Sequence, residues 1–334
     1  MRLVALDSGT TSTRAWLVED GRIVGGVHDH VGVRDVAQGR SREWLAEQLS
    51  GLVQQVLEQH GLTSSQIEAV VGFGMVTSEL GIEEVSHLTA PVAASQLAYA
   101  LGKDPGRILG PPLVDGRQVP LYLVPGVRCG GEGADGHRDF MRGEETEVVG
   151  LLADGRRTLP LLYVSPGSHS KWITVDAQGR IVQSMTTLTG ELAWALHKET
   201  ILAEFIDPAR EDIDFDHVLE GATAARRDGL SRALFLPRLR NRLDGLDAGR
   251  CSDIALGALA GSDVVSLTSA DTPPPTVVIL GATGLARSYE ALLRREEWVE
   301  EITRIETPLG PLGAWDLFRR SVDAEAIAVT TTQG

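Results

Sequence analysis

The sequence predicts an α/β protein built from two copies of one domain, on the strength of an internal repeat and the chain length. The stretch LDSGTTSTRAWLVEDGRIV at residues 6–24 recurs without a gap 158 positions later as VSPGSHSKWITVDAQGRIV at residues 164–182. Gly9 matches Gly167 and Ser12 matches Ser170, which indicates a duplicated supersecondary unit. The 334 residues accommodate two domains of ordinary size, and we expect them at residues 1–140 and 141–334.

Each copy of the repeat is predicted to form a strand, a tight turn rich in hydroxyl residues, a second strand and a hairpin turn. The hairpin turns fall at Asp20-Gly21 and Gln178-Gly179. The hydroxyl-rich turns present backbone N–H groups and side-chain oxygens that can bind an anion. Two such turns facing each other would hold a polyphosphate from both sides.

The remaining elements of the first half follow from apolar spacing. Residues 41–60 have helical spacing with Ser41 as a plausible N-cap, and residues 67–73 and 121–124 read as strands. Residues 102–120 are predicted to be an irregular excursion, and GGEGADG at residues 130–136 a flexible stretch. A helix is expected in the second half of residues 139–152.

The second half is predicted to be richer in helices. Its predicted helices lie within residues 191–206, 216–239, 253–267, 285–295 and 315–329, and its predicted strands at residues 161–164, 181–189 and 276–280.

Composition and charge exclude several classes of protein. The formal net charge of -15 argues against nucleic acid or an anionic membrane as the main partner, because phosphate surfaces require clustered Lys and Arg. Cys129 and Cys251 lack metal-ligand spacing and are expected to be reduced thiols. No apolar run reaches the length of a membrane span and the first residues do not form a signal peptide, so a cytoplasmic protein is expected.

Asp7 stands where the first predicted strand ends, directly before the hydroxyl-rich turn that contains Gly9, Thr10 and Thr11. A carboxylate there could hold the water shell of a Mg²⁺ ion that bridges phosphate oxygens. The second copy has Ser165 at the matching position, so only one of the two turns would carry metal-facing charge. A turn-capping role for Asp7 is the alternative.

The second turn offers Gly167, Ser168, His169 and Ser170, followed by Lys171. Lys171 is the stronger candidate for an anionic group, against the alternative of an outward lysine at a strand edge. His169 is expected to be a hydrogen-bonding loop residue rather than a base.

Two further groups could carry chemistry. Transfer of a phosphoryl group to an alcohol needs a carboxylate near the acceptor hydroxyl, and Glu144 and Glu145, next to Arg142, are candidates. Two glutamates at a helix start also occur as ordinary dipole compensation, which from spacing alone is the favoured interpretation. The 281–284 turn, with Gly281, Ala282 and Gly284, permits close approach of a flat ligand such as adenosine.

The order of elements in each half resembles the duplicated actin-like (ribonuclease H-like) ATPase domain of actin, hexokinase and the heat-shock ATPases. That resemblance implies ATP bound in an interdomain cleft, with the repeated hairpins as its two phosphate loops. It also gives position a meaning, since in hexokinase-type kinases the catalytic carboxylate precedes the second phosphate hairpin by one helix, as Glu144 and Glu145 do.

Several motifs together resemble the 2-dehydro-3-deoxygalactonokinase family of sugar-acid kinases. They are DSGTTSTR at 7–14, GM at 74–75, FMRGEET at 140–146, SPGSHSKW at 165–172, LTGE at 188–191 and LGATG at 280–284. The resemblance implies ATP, Mg²⁺ and phosphorylation of the C6 hydroxyl of 2-dehydro-3-deoxy-D-galactonate, a step of galactonate catabolism. The family commonly has Trp where this chain has Ser8, and a different loop where this chain has residues 74–82, which bears on the choice of sugar acid.

Two other functions stay open from the sequence. The same fold hosts phosphatases that hydrolyse polyphosphate or guanosine polyphosphates, and it could also serve a non-enzymatic nucleotide sensor. The sequence leaves undecided which sugar acid is preferred and which of the two glutamates acts as the base. It also leaves the oligomeric state undecided, with a homodimer as one possibility.

Overall fold

The computed structural model describes residues 1–102, 118–130, 138–268 and 273–332. The strands are β1 Arg2–Ser8, β2 Thr13–Glu19, β3 Arg22–Asp29, β4 Ala69–Gly74, β5 Leu88–Thr89, β6 Leu121–Leu123, β7 Val127–Cys129, β8 Asp139–Met141, β9 Leu161–Ser165, β10 Ser170–Val175, β11 Ile181–Thr187, β12 Thr276–Leu280 and β13 Glu301–Ile305. The helices are α1 Val33–Ala37, α2 Arg42–Gln59, α3 Ala94–Gly102, α4 Glu144–Leu152, α5 Thr189–Glu199, α6 Phe215–Asp228, α7 Leu230–Ala233, α8 Leu236–Asp244, α9 Ala248–Thr268, α10 Gly284–Leu293 and α11 Gly310–Thr332.

Two five-stranded sheets have the same strand order, which confirms the predicted duplication. One runs β3-β2-β1-β4-β6 and the other β11-β10-β9-β12-β13. In the first sheet, β1 pairs antiparallel with β2 and parallel with β4. In the second sheet, β9 pairs antiparallel with β10 and parallel with β12. The hydroxyl-rich turns of the two copies therefore occupy the same position in their sheets.

The two hairpin turns close differently. Asp20 and Gly21 both have positive φ, 47° and 75°, as a two-residue type I′ turn requires. The second turn contains Gln178 and Gly179 and is larger, because the Asp176 carboxylate accepts bonds from the Gln178 and Arg180 backbone N–H groups, each at 2.9 Å.

Helix α2 packs its apolar side against the first sheet. Leu45, Leu49 and Val53 are fully buried in the core that this sheet forms with the helix. Ser41 is the N-cap, and its Oγ accepts a bond from the Trp44 backbone N–H at 3.1 Å, as the sequence predicts.

The chain divides into two compact units, residues 1–157 with 308–334 and residues 158–307. The first unit thus extends beyond the boundary expected at residue 140 and also includes the closing helix α11. Close packing of α4 on α11 explains this arrangement, since a Cβ on Gly313 would lie 1.8 Å from the Thr146 carbonyl oxygen.

Other differences from prediction follow from single residues or from long-range pairing. The helix expected at residues 216–239 is divided into α6, α7 and α8, with Gly229 at a φ of 84° after α6. Strands β5, β7 and β8 form a three-stranded sheet that was not predicted. Most of the excursion predicted at 102–120 and of the GGEGADG stretch lies outside the described residues.

Both cysteines are free and buried, which agrees with the expected reduced thiols. In the described ranges, none of the helices combines the length and apolar character that crossing a membrane demands.

Candidate active site

The first hydroxyl-rich turn lies between β1 and β2 at the edge of the first sheet. The Gly9 backbone N–H donates to the Ser12 carbonyl at 2.8 Å, which closes a four-residue loop. The Arg34 backbone N–H donates to the Thr10 carbonyl at 2.9 Å and fixes the loop on its other side. Thr10 and Thr11 are exposed, so their hydroxyl groups are accessible to an anionic ligand.

Asp7 and the two candidate glutamates belong to the same edge of the first unit. Asp7 is paired with Phe73 in the parallel β1–β4 ladder, next to Gly74 at the end of β4. A Cβ on Gly74 would lie 3.7 Å from the Asp7 carboxylate, and a Cβ on Gly143 would lie 3.4 Å from the Gly74 Cα. Gly143 is the N-cap of α4 at a φ of 113°, a conformation that favours glycine. The start of α4, with Glu144 and Glu145, therefore approaches the strand ends where Asp7 lies.

Asp7 keeps partial access to solvent, with 34% of its side chain exposed. Burial of its carboxyl raises the pKa, and the positive charge of Arg14, whose Nη1 lies 3.7 Å from Oδ2, opposes that rise. A half-buried carboxylate beside the first hydroxyl-rich turn fits a hydrated Mg²⁺ ion, which prefers oxygen ligands. Among the residues that the structure describes, no three His, Cys, Asp or Glu side chains are grouped so as to hold a metal directly.

Glu145 is completely buried and held by its own neighbours. Its two carboxylate oxygens accept the Gly143 backbone N–H at 2.9 and 2.8 Å, and Oε1 accepts the Thr146 hydroxyl at 3.0 Å. Burial, and next the charge of Glu144, raise the pKa of Glu145 to about 8. Glu144 is only partly buried, so the two neighbouring glutamates differ in access and in environment.

Arg142 is bonded to the loop that follows β4. Its guanidinium donates to the Thr77 hydroxyl at 2.8 Å and to the Val85 carbonyl at 2.9 Å, and Nη2 lies 3.4 Å from Nδ1 of His87. Burial lowers the pKa of Arg142 and also that of His87. Arg142 thus fixes the loop of residues 75–87.

The second hydroxyl-rich turn lies between β9 and β10 and packs on the start of α5. Gly167, Ser168 and His169 are exposed, whereas Ser170 is fully buried. His169 Nε2 lies 2.8 Å from a Glu191 carboxylate oxygen, which agrees with the expected hydrogen-bonding loop residue. A Cβ on Gly190 would lie 2.2 Å from the Gly167 carbonyl oxygen, so this close approach requires glycine.

Lys171 is buried at 7% exposure, so the alternative of an outward lysine at a strand edge is wrong. Its strand β10 lies inside the second sheet between β9 and β11. The ammonium Nζ donates to the Thr186 hydroxyl at 2.6 Å.

The 281–284 turn connects β12 to α10 and is held by two arginines. Arg304 Nη1 donates to the Gly281 carbonyl at 3.0 Å, and Arg287 Nε donates to the Ala282 carbonyl at 3.2 Å. The Gly284 backbone N–H donates to the Arg210 carbonyl at 2.9 Å, and Gly284 leaves no room there for a side chain.

Sequence reasoning missed two buried acids of α9. Asp253 forms an ion pair with Arg210 at 2.7 Å, beside the 281–284 turn. Asp263 accepts hydroxyl groups behind the second turn. The available signal was the presence of acidic residues in a helix that is otherwise almost continuously apolar or small.

Two sheets of identical strand order, each with a hydroxyl-rich turn after its first strand, define the duplicated actin-like fold. A solved xylulose kinase from Lactobacillus acidophilus has this fold, with a TM-score of 0.53 at 11% identity over 97% of this chain and 90% of that one. A crystal structure from Sinorhizobium meliloti described as a candidate 2-dehydro-3-deoxygalactonokinase superposes with a TM-score of 0.69, at 22% identity over 98% of this chain and 96% of that one.

The sequence matches the 2-keto-3-deoxy-galactonokinase family over residues 7–307, and the chain belongs to that family. The 2-dehydro-3-deoxygalactonokinase of Escherichia coli is 26% identical over 296 residues, which cover 86% of this chain and 88% of the relative. The protein is therefore a sugar-acid kinase, a phosphotransferase.

Proposed function

We propose that this protein transfers the γ-phosphoryl group of ATP to the C6 hydroxyl of 2-dehydro-3-deoxy-D-galactonate, in galactonate catabolism. The observation that carries the proposal is the common position of Asp7, the first hydroxyl-rich turn and the start of α4 at one edge of the first sheet. This arrangement supplies anion contacts, a carboxylate for a hydrated cation and a second carboxylate for an alcohol, as phosphoryl transfer requires.

Each unit carries candidate nucleotide contacts. Gly9, Thr10 and Thr11 in the first turn, and Gly167, Ser168 and His169 in the second, are the proposed phosphate contacts. Gly281, Ala282 and Gly284 are the proposed contacts on the adenosine side. Buried Ser170 would act by shaping the second turn, since its side chain faces the interior of its unit.

Asp7 would hold Mg²⁺ through the water molecules of the ion. When bound, Mg²⁺ neutralises charge on the phosphate oxygens during transfer. Asp7 fits this role because its carboxylate is accessible and lies beside the backbone of the first turn.

Glu144 is the proposed base and Glu145 its positioning partner. The partly exposed Glu144 would take the proton of the acceptor hydroxyl as the new O–P bond forms and ADP leaves. The fully buried Glu145, bonded to the Gly143 N–H, would fix the first turn of α4. Arg142 or Lys171 would contact the substrate carboxylate or the transferring phosphoryl group.

A coupled assay for ADP formation tests the proposal. The purified protein is given ATP and Mg²⁺ with 2-dehydro-3-deoxygalactonate, its gluconate epimer and related acids, and the product is located by ³¹P NMR. We expect acceptor-dependent ADP and a C6 phosphate ester. ADP or phosphate release independent of any acid would indicate a phosphohydrolase, and nucleotide binding without turnover would indicate a sensor.

We also propose that the protein is cytoplasmic and that it forms a homodimer. Burial raises the pKa of the Cys251 thiol to about 11, so this thiol stays protonated and unreactive at neutral pH. Light scattering of the purified protein measures the oligomeric state directly.

A further inference from the structure

Asp263 is a buried carboxylate behind the second hydroxyl-rich turn, in the interior of the second unit. It lies on α9 and is 6% exposed. Its oxygen Oδ2 accepts the Thr187 hydroxyl at 2.9 Å, the Thr189 hydroxyl at 2.5 Å and the hydroxyl of Tyr289. Three donors on one oxygen compensate a charge that burial alone would disfavour.

The Tyr289 hydroxyl connects this carboxylate to the second turn. Tyr289 is fully buried on α10, and its Oη lies 3.2 Å from Oγ of Ser170. Tyrosine has a single hydroxyl proton, which goes to the carboxylate, so the Ser170 hydroxyl donates to Oη. Oγ of Ser170 then presents its lone pairs to the Gly167 backbone N–H, 3.5 Å away.

The two threonines connect the same carboxylate to the start of α5. Thr189 is the first residue of α5 and is buried, and it is followed by Gly190, which packs against the Gly167 carbonyl. The Glu191 backbone N–H donates to the Ser168 carbonyl at 2.9 Å. Asp263 is therefore connected to the second turn by two routes. One runs through the Tyr289 hydroxyl to Ser170, and the other runs through the Thr189 hydroxyl to the start of α5.

Burial is the main cause that raises the pKa of Asp263, and the three hydroxyl bonds oppose the rise. Burial and the nearby carboxylate raise the pKa of Tyr289. The tyrosine thus stays protonated and keeps its donor at neutral pH.

We infer that Asp263 is a positioning residue for nucleotide binding, which orders the turn of residues 167–170 through Tyr289 and Ser170 and through Thr189. The inference rests on the proposed function, because it assigns the turn to the phosphates of ATP. Asp263 itself does not contact the nucleotide in this account.

The test replaces single hydroxyl groups and reads nucleotide and sugar acid separately. Tyr289→Phe keeps the ring contact with Trp172, whose centroid is 4.8 Å away, and breaks the connection to Ser170. Loss of one buried hydrogen bond of this type should raise the KM for ATP and the Kd for ADP about tenfold. The KM for the sugar acid should stay within about twofold. Asp263→Asn, which offers a neutral acceptor, should show a smaller change in the same direction.

Tyr122→Phe is the matched control, since it removes an aromatic hydroxyl in the first unit and keeps the ring contact with Phe318 at 5.0 Å. If Tyr289→Phe does not fold, Thr189→Val carries the same test with an isosteric change. Equal weakening of both substrates, or an effect of the control as large as that of Tyr289→Phe, would overturn the inference.

Amide hydrogen exchange of the ligand-free protein separates this inference from the proposed function. We expect faster exchange at residues 167–171 in Tyr289→Phe than in the wild type. Faster exchange together with a wild type that binds no nucleotide would overturn the proposed function and leave the ordering of the turn intact. Unchanged exchange would overturn the inference itself.

Discussion

At the scale of single residues, two acidic groups of the first unit, Asp7 and Glu145, are buried at a cost to folding. Burial raises the pKa values of both Asp7 and Glu145, so their charged forms are disfavoured in the folded protein. Raised pKa values of this kind concentrate at functional sites. The two acids allow separate predictions, one on turnover and one on stability.

Asp7→Asn should lower kcat by about 10- to 100-fold, because an uncharged amide holds the water shell of Mg²⁺ less well. Thermal stability should be unchanged or higher, since the variant no longer buries a carboxylate. Steady-state kinetics over a Mg²⁺ titration, together with thermal unfolding, measures both effects. Wild-type turnover in this variant would remove Asp7 from the site.

Glu145→Gln should change how stability depends on pH. The folded-state pKa of about 8 exceeds the ordinary value of 4.5, so the folded protein keeps a proton that the unfolded chain loses between these values. The Glu145 contribution is therefore fully present below pH 4.5 and is lost as pH rises through 8. Relative to the wild type, the variant should gain about 1.4 kcal/mol per pH unit inside that window. Urea unfolding across the window measures the difference, and parallel curves would contradict the assigned pKa.

At the scale of elements, the second turn depends on its contact with α5. Gly190→Ala places a Cβ 2.2 Å from the Gly167 carbonyl oxygen, which is backbone and cannot turn aside. Overpacking of about 1–3 kcal/mol should displace the turn and weaken nucleotide binding about 10- to 100-fold. Calorimetric titration with ADP measures this loss.

Gly51→Ala serves as the matched control, because a Cβ at Gly51 in α2 meets nothing within 4 Å. This change should leave ADP binding unaltered and raise stability by up to about 1 kcal/mol, as an alanine does inside a helix. Equal ADP affinities for both variants would show that the α5 contact does not shape the binding site.

Elements with their own local signal were predictable from the sequence. Ser41 and the apolar spacing after it predict α2, and the repeated hairpins predict β1 to β3 and β9 to β11. The two-residue strand β5 is set by pairing with β7, which lies far along the chain and leaves no local pattern. Gly229 ends α6 at a φ of 84°, a conformation that glycine adopts without strain, whereas the glycines inside α6 and α9 do not interrupt their helices.

The candidate site was predictable by residue type and less so by environment. Local sequence placed Glu144 and Glu145 at a helix start, but it could not show that one of them is fully buried. Burial of Lys171 depends on β10 being an interior strand, a property of the whole sheet. Asp263 carried no motif, because its partners come from β11, α5 and α10.

At the scale of the whole molecule, the first unit is completed by the end of the chain. Helix α11 packs on α3 and α4, and Gly313 lies against the Thr146 carbonyl. A chain ending at residue 157 should therefore lack a cooperative thermal transition, whereas residues 1–157 joined by a linker to residues 308–334 should regain one. Residues 158–307 alone should unfold cooperatively. Circular dichroism melts of the three polypeptides measure this, and a cooperative melt of residues 1–157 would contradict the prediction.

The return of the chain to its first unit has a consequence for biosynthesis. The second unit is one continuous segment, residues 158–307. It can therefore fold during translation, while the rest of the chain is still being synthesised. The first 157 residues emerge earlier, but they cannot complete their fold until α11 has been made. Until then, the surface that α11 covers is exposed to water. The unit that holds Asp7 and the glutamate pair therefore completes its fold only after residues 158–307 have been made.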